Sequence, residues 1–308
     1  MSVVNDRQVS DWSAADPLAE LLRPDHPRLL ELKARYLAYA PTMCESAIWH
    51  EGYVGRDDIS HYRGDNAYVW QLRGENMCEA GYALTAYYLK SIDSLGLWNT
   101  LVEDGAFGVS TFEVDGRKVS RDLLDSIAEL LFLERHLGLS TWKDARVLDI
   151  GAGYGRFAQR VLEAMPSVIS CLCTDAIAVS TYLSECHLRF HHLETRGRTI
   201  PLDQIDLAMA ESSVDLAVNM HSFSECPLPA IDWWLAMLER HRVRHLMIVP
   251  NALENGGEQL MNNWDHDFAP VILRHGYRLK EKSPKFTDPV VQRHGINPTW
   301  YYLFEFVG

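Results

Sequence analysis

The chain of 308 residues has little cysteine, and what it has is scattered: Cys44, Cys78, Cys171, Cys173, Cys186 and Cys226, with no C-x-x-C pair and no His/Cys grouping at zinc spacing. That excludes a disulfide scaffold and a structural zinc module, and reads as reduced thiols in a cytoplasmic protein. A basic surplus is missing as well. With a formal charge of -13 and no Lys/Arg stripe, the chain is not built to neutralise phosphates, so no nucleic-acid partner is expected. No apolar run approaches membrane-spanning length, and residues 1–16 are polar without the apolar core of a secretory signal. The expectation is a soluble protein with no membrane partner. Internal repeats and low-complexity linkers are also lacking.

What is present is ordinary for a globular enzyme: 47% hydrophobic and 23% charged residues, enough for one large domain or two of usual size. The most informative stretch is Arg146-Val-Leu-Asp-Ile-Gly-Ala-Gly-Tyr-Gly-Arg156. Val147, Leu148 and Ile150 form the apolar run of a strand buried on both faces. Gly151, Gly153 and Gly155 then permit a tight turn pressed against a ligand, and the helix that follows would aim its free amides at that ligand. A dinucleotide fingerprint needs G-x-G-x-x-G, but the third glycine position is Arg156. Asp149 just before the turn suits the ammonium of S-adenosylmethionine better than a pyrophosphate. Strand, D-x-G-x-G-x-G and helix together resemble the class I S-adenosylmethionine-dependent methyltransferases.

The rest of the chain is read in order. Leu18 to Ala40 has helical spacing interrupted by Pro24 and Pro27, and suggests two helices. Trp49 to Arg73 is a polar, aromatic segment that reads as a substrate wall or a self-packed surface loop, with His61 and Tyr62 as candidates for binding acceptor hydroxyls. A helix is expected over Met77 to Ile92 and irregular structure over 101–119. Ser120 is a natural N-cap for a long helix bearing Leu123, Leu124, Ile127, Leu130 and Leu131. Arg121 and Asp122 at its start either reach the cofactor or serve as capping and solvated charges. From residue 141 strands and helices alternate. The second strand ends at Asp175, 20 residues after Gly155, where a doubly wound fold holds ribose hydroxyls. Leu202-Asp203, after a weak third strand, is placed to line the adenine.

The fourth strand ends in Asn219-Met-His-Ser-Phe-Ser-Glu-Cys226, polar groups at a carboxyl strand end. His221 is the leading general base, with Glu225 orienting it or acting in its place. His266 is the rival base. Its neighbours Asp265 and Asp267, with Glu254, Glu258 or Asn251, offer oxygen ligands for Mg²⁺, a reading ranked below capping at the start of a helix over 265–276. Asn251 and His294 complete the acceptor candidates, His294 within a loop over 283–298. The nine tryptophans and thirteen tyrosines suit a pyranose face, although most must be core.

Within the methyltransferases the chain resembles one branch, the sugar O-methyltransferases of bacterial polysaccharide and natural-product pathways. Ser120-Arg-Asp-Leu-Leu-Asp-Ser126, the glycine stretch, Asn219 to Glu225 and Gln292-Arg-His-Gly-Ile-Asn-Pro-Thr-Trp-Tyr301 carry this likeness, over roughly residues 50–305. The resemblance implies a Rossmann-like α/β fold: a seven-stranded, mostly parallel sheet with helices on both faces (141–308) behind a mainly helical N-terminal cap (1–140). S-adenosylmethionine would be held by Asp149, Gly151, Ala152, Gly153, Gly155, Arg156, Asp175, Asp203 and Asn219. The implied reaction is methyl transfer to a hydroxyl of a sugar or glycosylated intermediate. The alternatives are a non-sugar acceptor, a non-methylating reaction on the same fold, and a non-catalytic cofactor-binding module. A homo-oligomer is left open.

Overall fold

Apolar spacing, caps and turn residues set the elements, which a computed structural model describes for residues 20–39, 59–64 and 78–308. The polar stretch 1–16 and most of the aromatic segment between Trp49 and Arg73 lie outside the described residues. Helix α1 (Pro27–Ala38) buries Leu29, Leu32 and Tyr36. Helices α2 (Glu79–Ile92) and α3 (Leu97–Thr100) precede a hairpin of β1 (Phe112–Val114) and β2 (Arg117–Val119). The irregular structure expected over 101–119 is corrected here. Asp115 and Gly116, at φ 50° and 71°, form the two-residue turn whose twist suits paired strands.

Helix α4 (Arg121–Leu137) begins at Ser120, whose hydroxyl accepts the Leu123 amide at 3.0 Å, and ends at Gly138 in the left-handed region. The alternating part follows: β3 (Ala145–Ile150), α5 (Arg156–Ala164), β4 (Val168–Thr174), α6 (Ala178–Phe190), β5 (Gly197–Thr199), α7 (Ile205–Glu211), β6 (Leu216–Met220), α8 (Leu228–Arg240), β7 (His245–Val249), α9 (Ala269–Arg274), β8 (Tyr277–Pro284), α10 (Pro289–His294) and β9 (Trp300–Phe306). The seven strands run in the order β5-β4-β3-β6-β7-β9-β8. The first five in that order are parallel, while β9 is antiparallel to both β7 and β8. This is the Rossmann-like, class I methyltransferase-like α/β fold that the sequence leads one to expect.

Period-two alternation along β3 divides the core. Leu148 and Ile150 face one hydrophobic cluster, shared with α1, α7, α8 and α9, and Val147 faces the other, shared with α2, α4 and α5. The order reverses between β3 and β6, so their carboxyl ends flank the crevice where such sheets bind ligands. Two expectations at the C-terminal end change. The loop over 283–298 contains α10, started by Asp288 capping the Val290 and Val291 amides. The helix expected over 265–276 is only Ala269–Arg274, because residues 261–267 close into a turn bridged between Met261 and Asp267. No helix among the described residues is long and apolar enough to cross a membrane.

The C-terminal strands are locked to α4 by a buried ion pair. Lys285 Nζ donates to Asp125 and to the carbonyls of Ile296 and Asn297 at 3.2 and 3.1 Å. Replacing Lys285 by Met strands a buried carboxylate, and is expected to cost about 3–5 kcal/mol in urea unfolding. Adding Asp125→Leu should recover much of that loss; a double variant as unstable as the single one would count against the pairing.

Candidate cofactor and acceptor site

The site is built at the end of β3. The Gly151 and Ala152 amides donate to the Thr174 carbonyl at 2.9 and 3.1 Å, tying the glycine turn to the end of β4. Gly151, Gly153 and Gly155 all have positive φ, at 70°, 57° and 89°. Their surroundings differ. A Cβ on Gly151 would lie 2.0 Å from Ser222 Oγ, and one on Gly155 2.9 Å from Ser184 Oγ, whereas one on Gly153 would meet nothing within 4 Å. Two glycines are thus required by close packing, and the third faces open space. Helix α5 starts here without a side-chain cap, leaving first-turn amides directed at the turn.

Carboxylates surround that turn. Asp175 Oδ2 accepts the Gly153 amide at 2.9 Å and Oδ1 the Ile177 amide at 2.8 Å. Burial pushes its carboxyl up to about 7, against the pull of those two amides and with a further push from Glu225. Asp149 is 2% exposed, and its Oδ2 has no hydrogen-bond partner among the described residues. Burial raises this group also to about 7, opposed by Arg156. Thr174 Oγ1, at the end of β4 and in register with Ile150, is another buried polar atom without a hydrogen-bond partner among the described residues. Unmatched buried acceptors of this kind fit a ligand that brings a cation and donors.

At the end of β6, Asn219 is fully buried. Its Nδ2 donates to the Ile150 carbonyl at 2.9 Å and to Ser222 Oγ at 2.6 Å, while Oδ1 accepts the Phe223 amide at 2.9 Å. It clamps the two strand ends together. His221 follows at φ 70°, an uncommon conformation for a residue with a side chain. Its Nδ1 lies 3.2 Å from the Pro250 carbonyl, which can only accept, so Nδ1 carries the proton and Nε2 a lone pair. Burial lowers the imidazole to about 3, helped by Arg121, Arg156 and Lys285 and opposed by Asp125. Glu225 Oε1 accepts from Asn251 Nδ2 at 3.3 Å, and the Asn251 amide donates to Ser224 Oγ at 3.0 Å. His221 and Glu225, just after β6, and Asn251, just after β7, are therefore linked at two adjacent strand ends.

Other candidates are placed differently. Arg156 donates to both oxygens of Glu129 at 2.8 Å and to Ser126. Asp203 receives a two-pronged contact from Arg35 at 2.7 and 2.8 Å. Tyr62 is a core residue, with its ring stacked on Phe107 and its hydroxyl taken by His187 at 2.9 Å. His61 is exposed and packed over Gly108. Asp265 and His266 are exposed on the bridged turn, and Asp267 Oδ1 caps the Ala269 amide at 2.9 Å. His294 is exposed at the end of α10. No group of three or more His, Cys, Asp or Glu side chains among the described residues is arranged to hold a metal ion. Arg121 and Asp122 are not solvated charges: Arg121 pairs with Asp125, and Asp122 is buried against Arg63 and Tyr154.

Sequence reasoning missed Tyr36, which lies within the stretch of helical spacing from Leu18 to Ala40. Its hydroxyl donates to the Asp175 carbonyl at 3.0 Å and accepts the Leu202 amide at 3.1 Å, bracing the ends of β4 and β5 from α1. No local signal marks such a long-range contact.

No protein-family profile and no curated protein matches the chain. Solved structures do resemble it. The 4+2 cyclase SpnF is 14% identical at a TM-score of 0.44, over 73% of this chain and 96% of that one. A geranyl diphosphate methyltransferase with sinefungin is 12% identical at 0.43, over 60% and 78%. TrmK of M. capricolum with S-adenosylhomocysteine is 12% identical at 0.35, over 56% and 68%. The fold assignment rests on the strand order given above.

The two glycine environments separate in mutants. Gly153→Ala is expected to remain folded, losing about 1–2 kcal/mol for a side chain at positive φ. Gly151→Ala must also displace Ser222 and its bond to Asn219, so its loss should be clearly larger; equal losses in urea titrations would contradict the packing.

Proposed function

We propose that the chain is an S-adenosylmethionine-dependent methyltransferase acting on a hydroxyl of a small-molecule acceptor, with a sugar or glycosylated intermediate as the specific class to test. The observation that carries the reading is the buried, unpartnered Asp149 Oδ2 beneath a glycine turn that is open over Gly153 and flanked by Asp175. Asp149 would meet the cofactor's ammonium, the turn and the α5 amides its body, and Asp175 its ribose hydroxyls, exchanging bonds now made to Gly153 and Ile177. When bound, the cofactor supplies an electrophilic methyl group. Residues 141–308 form the cofactor-binding part, and the N-terminal region contributes the acceptor side.

The chain's own residues then hold the acceptor and its proton. His221 presents Nε2 as an acceptor for the hydroxyl proton, while Pro250 fixes the ring through Nδ1. Glu225 and Asn251, joined by their hydrogen bond across the ends of β6 and β7, orient polar groups of the acceptor.

Calorimetry with S-adenosylhomocysteine tests the cofactor reading. Wild-type protein should bind and Asp175→Ala should not; a wild type that fails to bind ends the proposal. Burial holds Asp149 near 7 and the ligand's ammonium favours its carboxylate, so binding at pH 7 should release on the order of half a proton from Asp149. Repeating the titration in buffers of different ionisation enthalpy measures that release. In methyl-transfer assays on glycosylated acceptors, run with and without chelator, His221→Gln should lower kcat by about 100-fold. An unchanged kcat would remove His221 from the chemistry.

A further inference from the structure

Between Gly153 and Gly155 stands one side chain, Tyr154, and it is 4% exposed. Both flanking glycines have positive φ, and glycine resists backbone rotation weakly, so the shape of the turn depends on what holds Tyr154. Its hydroxyl donates to the Asp122 carboxylate, and Arg63 Nε donates to the same oxygen at 3.3 Å. Its ring lies 5.3 Å from that of Tyr62 and 4.9 Å from that of His187.

Tyr62 and Arg63 are adjacent in sequence and are 0% and 1% exposed, so neither offers a surface to an acceptor. Both are held firmly. Arg63 donates to Glu103 at 2.8 and 2.9 Å and to Asp104 at 2.9 Å, and its amide donates to the Phe107 carbonyl at 3.1 Å. Tyr62 stacks on Phe107 at 4.5 Å and donates to His187 Nδ1, because His187 Nε2 must give its proton to the Gln159 amide oxygen at 2.8 Å. Gln159 belongs to α5, the helix that leaves the turn. The segment from Tyr62 to Arg63 therefore grips Tyr154 through its ring and through Asp122, and reaches the following helix through His187.

We infer that Tyr62 and Arg63 are positioning residues for the cofactor turn: by fixing Tyr154 they keep Gly153 and Gly155 in the conformation that leaves the space over Gly153 open to the cofactor. This rests on the cofactor reading given above. A motif resembling an acceptor wall in the sequence thus acts on the opposite partner, at a distance and without touching it.

The test uses the full chain with two readouts, the affinity for S-adenosylhomocysteine and amide hydrogen exchange of the ligand-free protein. Tyr154→Phe removes only the hydroxyl. It should weaken binding on the order of tenfold, the worth of one hydrogen bond to a charged group, and speed exchange of amides 151–156 while leaving those of β6 at wild-type protection. Arg63→Lys, which keeps the charge and loses the fork, should shift both readouts in the same direction. If Tyr154→Phe does not fold, Tyr62→Phe, which keeps the stacked ring and removes the bond to His187, decides in the same way. Wild-type binding with unchanged affinity in the folded variants overturns this inference and leaves the cofactor reading standing. Equal loss of protection in β6 also overturns it, since the residues would then support the whole fold. Failure of the wild type to bind overturns both.

Discussion

Three carboxylates buried on one helix hold the molecule's parts together. Asp122, Asp125 and Glu129 lie at spacings of three and four along α4, on a face that packs against protein. Burying charge is expensive, and each is matched by a cation from a different stretch of chain: Asp122 by Arg63, Asp125 by Lys285 and the nearby Arg121, and Glu129 by Arg156. The N-terminal segment, the C-terminal strands and the helix after the glycine turn are thereby fixed to one rod. Burial alone would protonate Asp125, but Lys285 and Arg121 outweigh it and keep the group below the usual carboxylate range. Glu129 is raised instead, because burial exceeds what Arg156 returns.

Burial sets opposite pH responses in the acidic and basic groups around the glycine turn. Asp149 and Asp175 rise from 3.8 to about 7 on folding, so the folded chain binds more protons than the unfolded one between those limits. Their contribution to stability is present below about pH 4 and is lost as pH rises through 7. His221 falls from 6.5 to about 3, so the unfolded chain binds the extra proton and its contribution grows with pH across that window. The two effects oppose each other in weakly acidic solution. A bound cation at Asp149 would relieve the first and leave the second, so the ligand-free site carries a strain that increases toward alkaline pH.

The alternation from β3 to β7 and the glycine turn were legible because they depend on local period and local backbone freedom. Val147 to Ile150, the glycines and Asp175 stand where spacing puts them. The hairpin at Asp115-Gly116 has a recognisable turn pair, but its three-residue strands are too short to show an alternating pattern. The polar network could not be read from the sequence. Arg63 pairs with Asp122 across 59 residues, and Lys285 with Asp125 across 160, and no periodicity records such partners. Tyr62 was expected to face an acceptor, but its ring is buried against Phe107 and its hydroxyl is bonded to His187, partners 45 and 125 residues away that local composition does not record. Asp265, His266 and Asp267 were expected at a helix start, but Asn262 Oδ1 accepts the amides of Trp264 and His266 at 3.1 and 2.9 Å and closes a separate turn first.

His221 shows why position and basicity have to be considered together. An imidazole near 3 is a poor resting base, yet the groups that lower it also fix its state. Burial, helped by the nearby Arg121, Arg156 and Lys285, keeps the ring neutral, and the Pro250 carbonyl selects the tautomer with Nε2 unprotonated. A hydroxyl in front of Nε2 thus always meets an acceptor. In the methyl transfer proposed above the oxygen would become acidic only as its new bond to carbon forms, so a weak base aligned beforehand would take the proton late in the step. Strong resting basicity would bring protonation of the ring at neutral pH and loss of that acceptor. Holding His221 neutral in a cationic setting favours alignment over basicity, and its positive φ at the end of β6 is the backbone conformation that accompanies this placement.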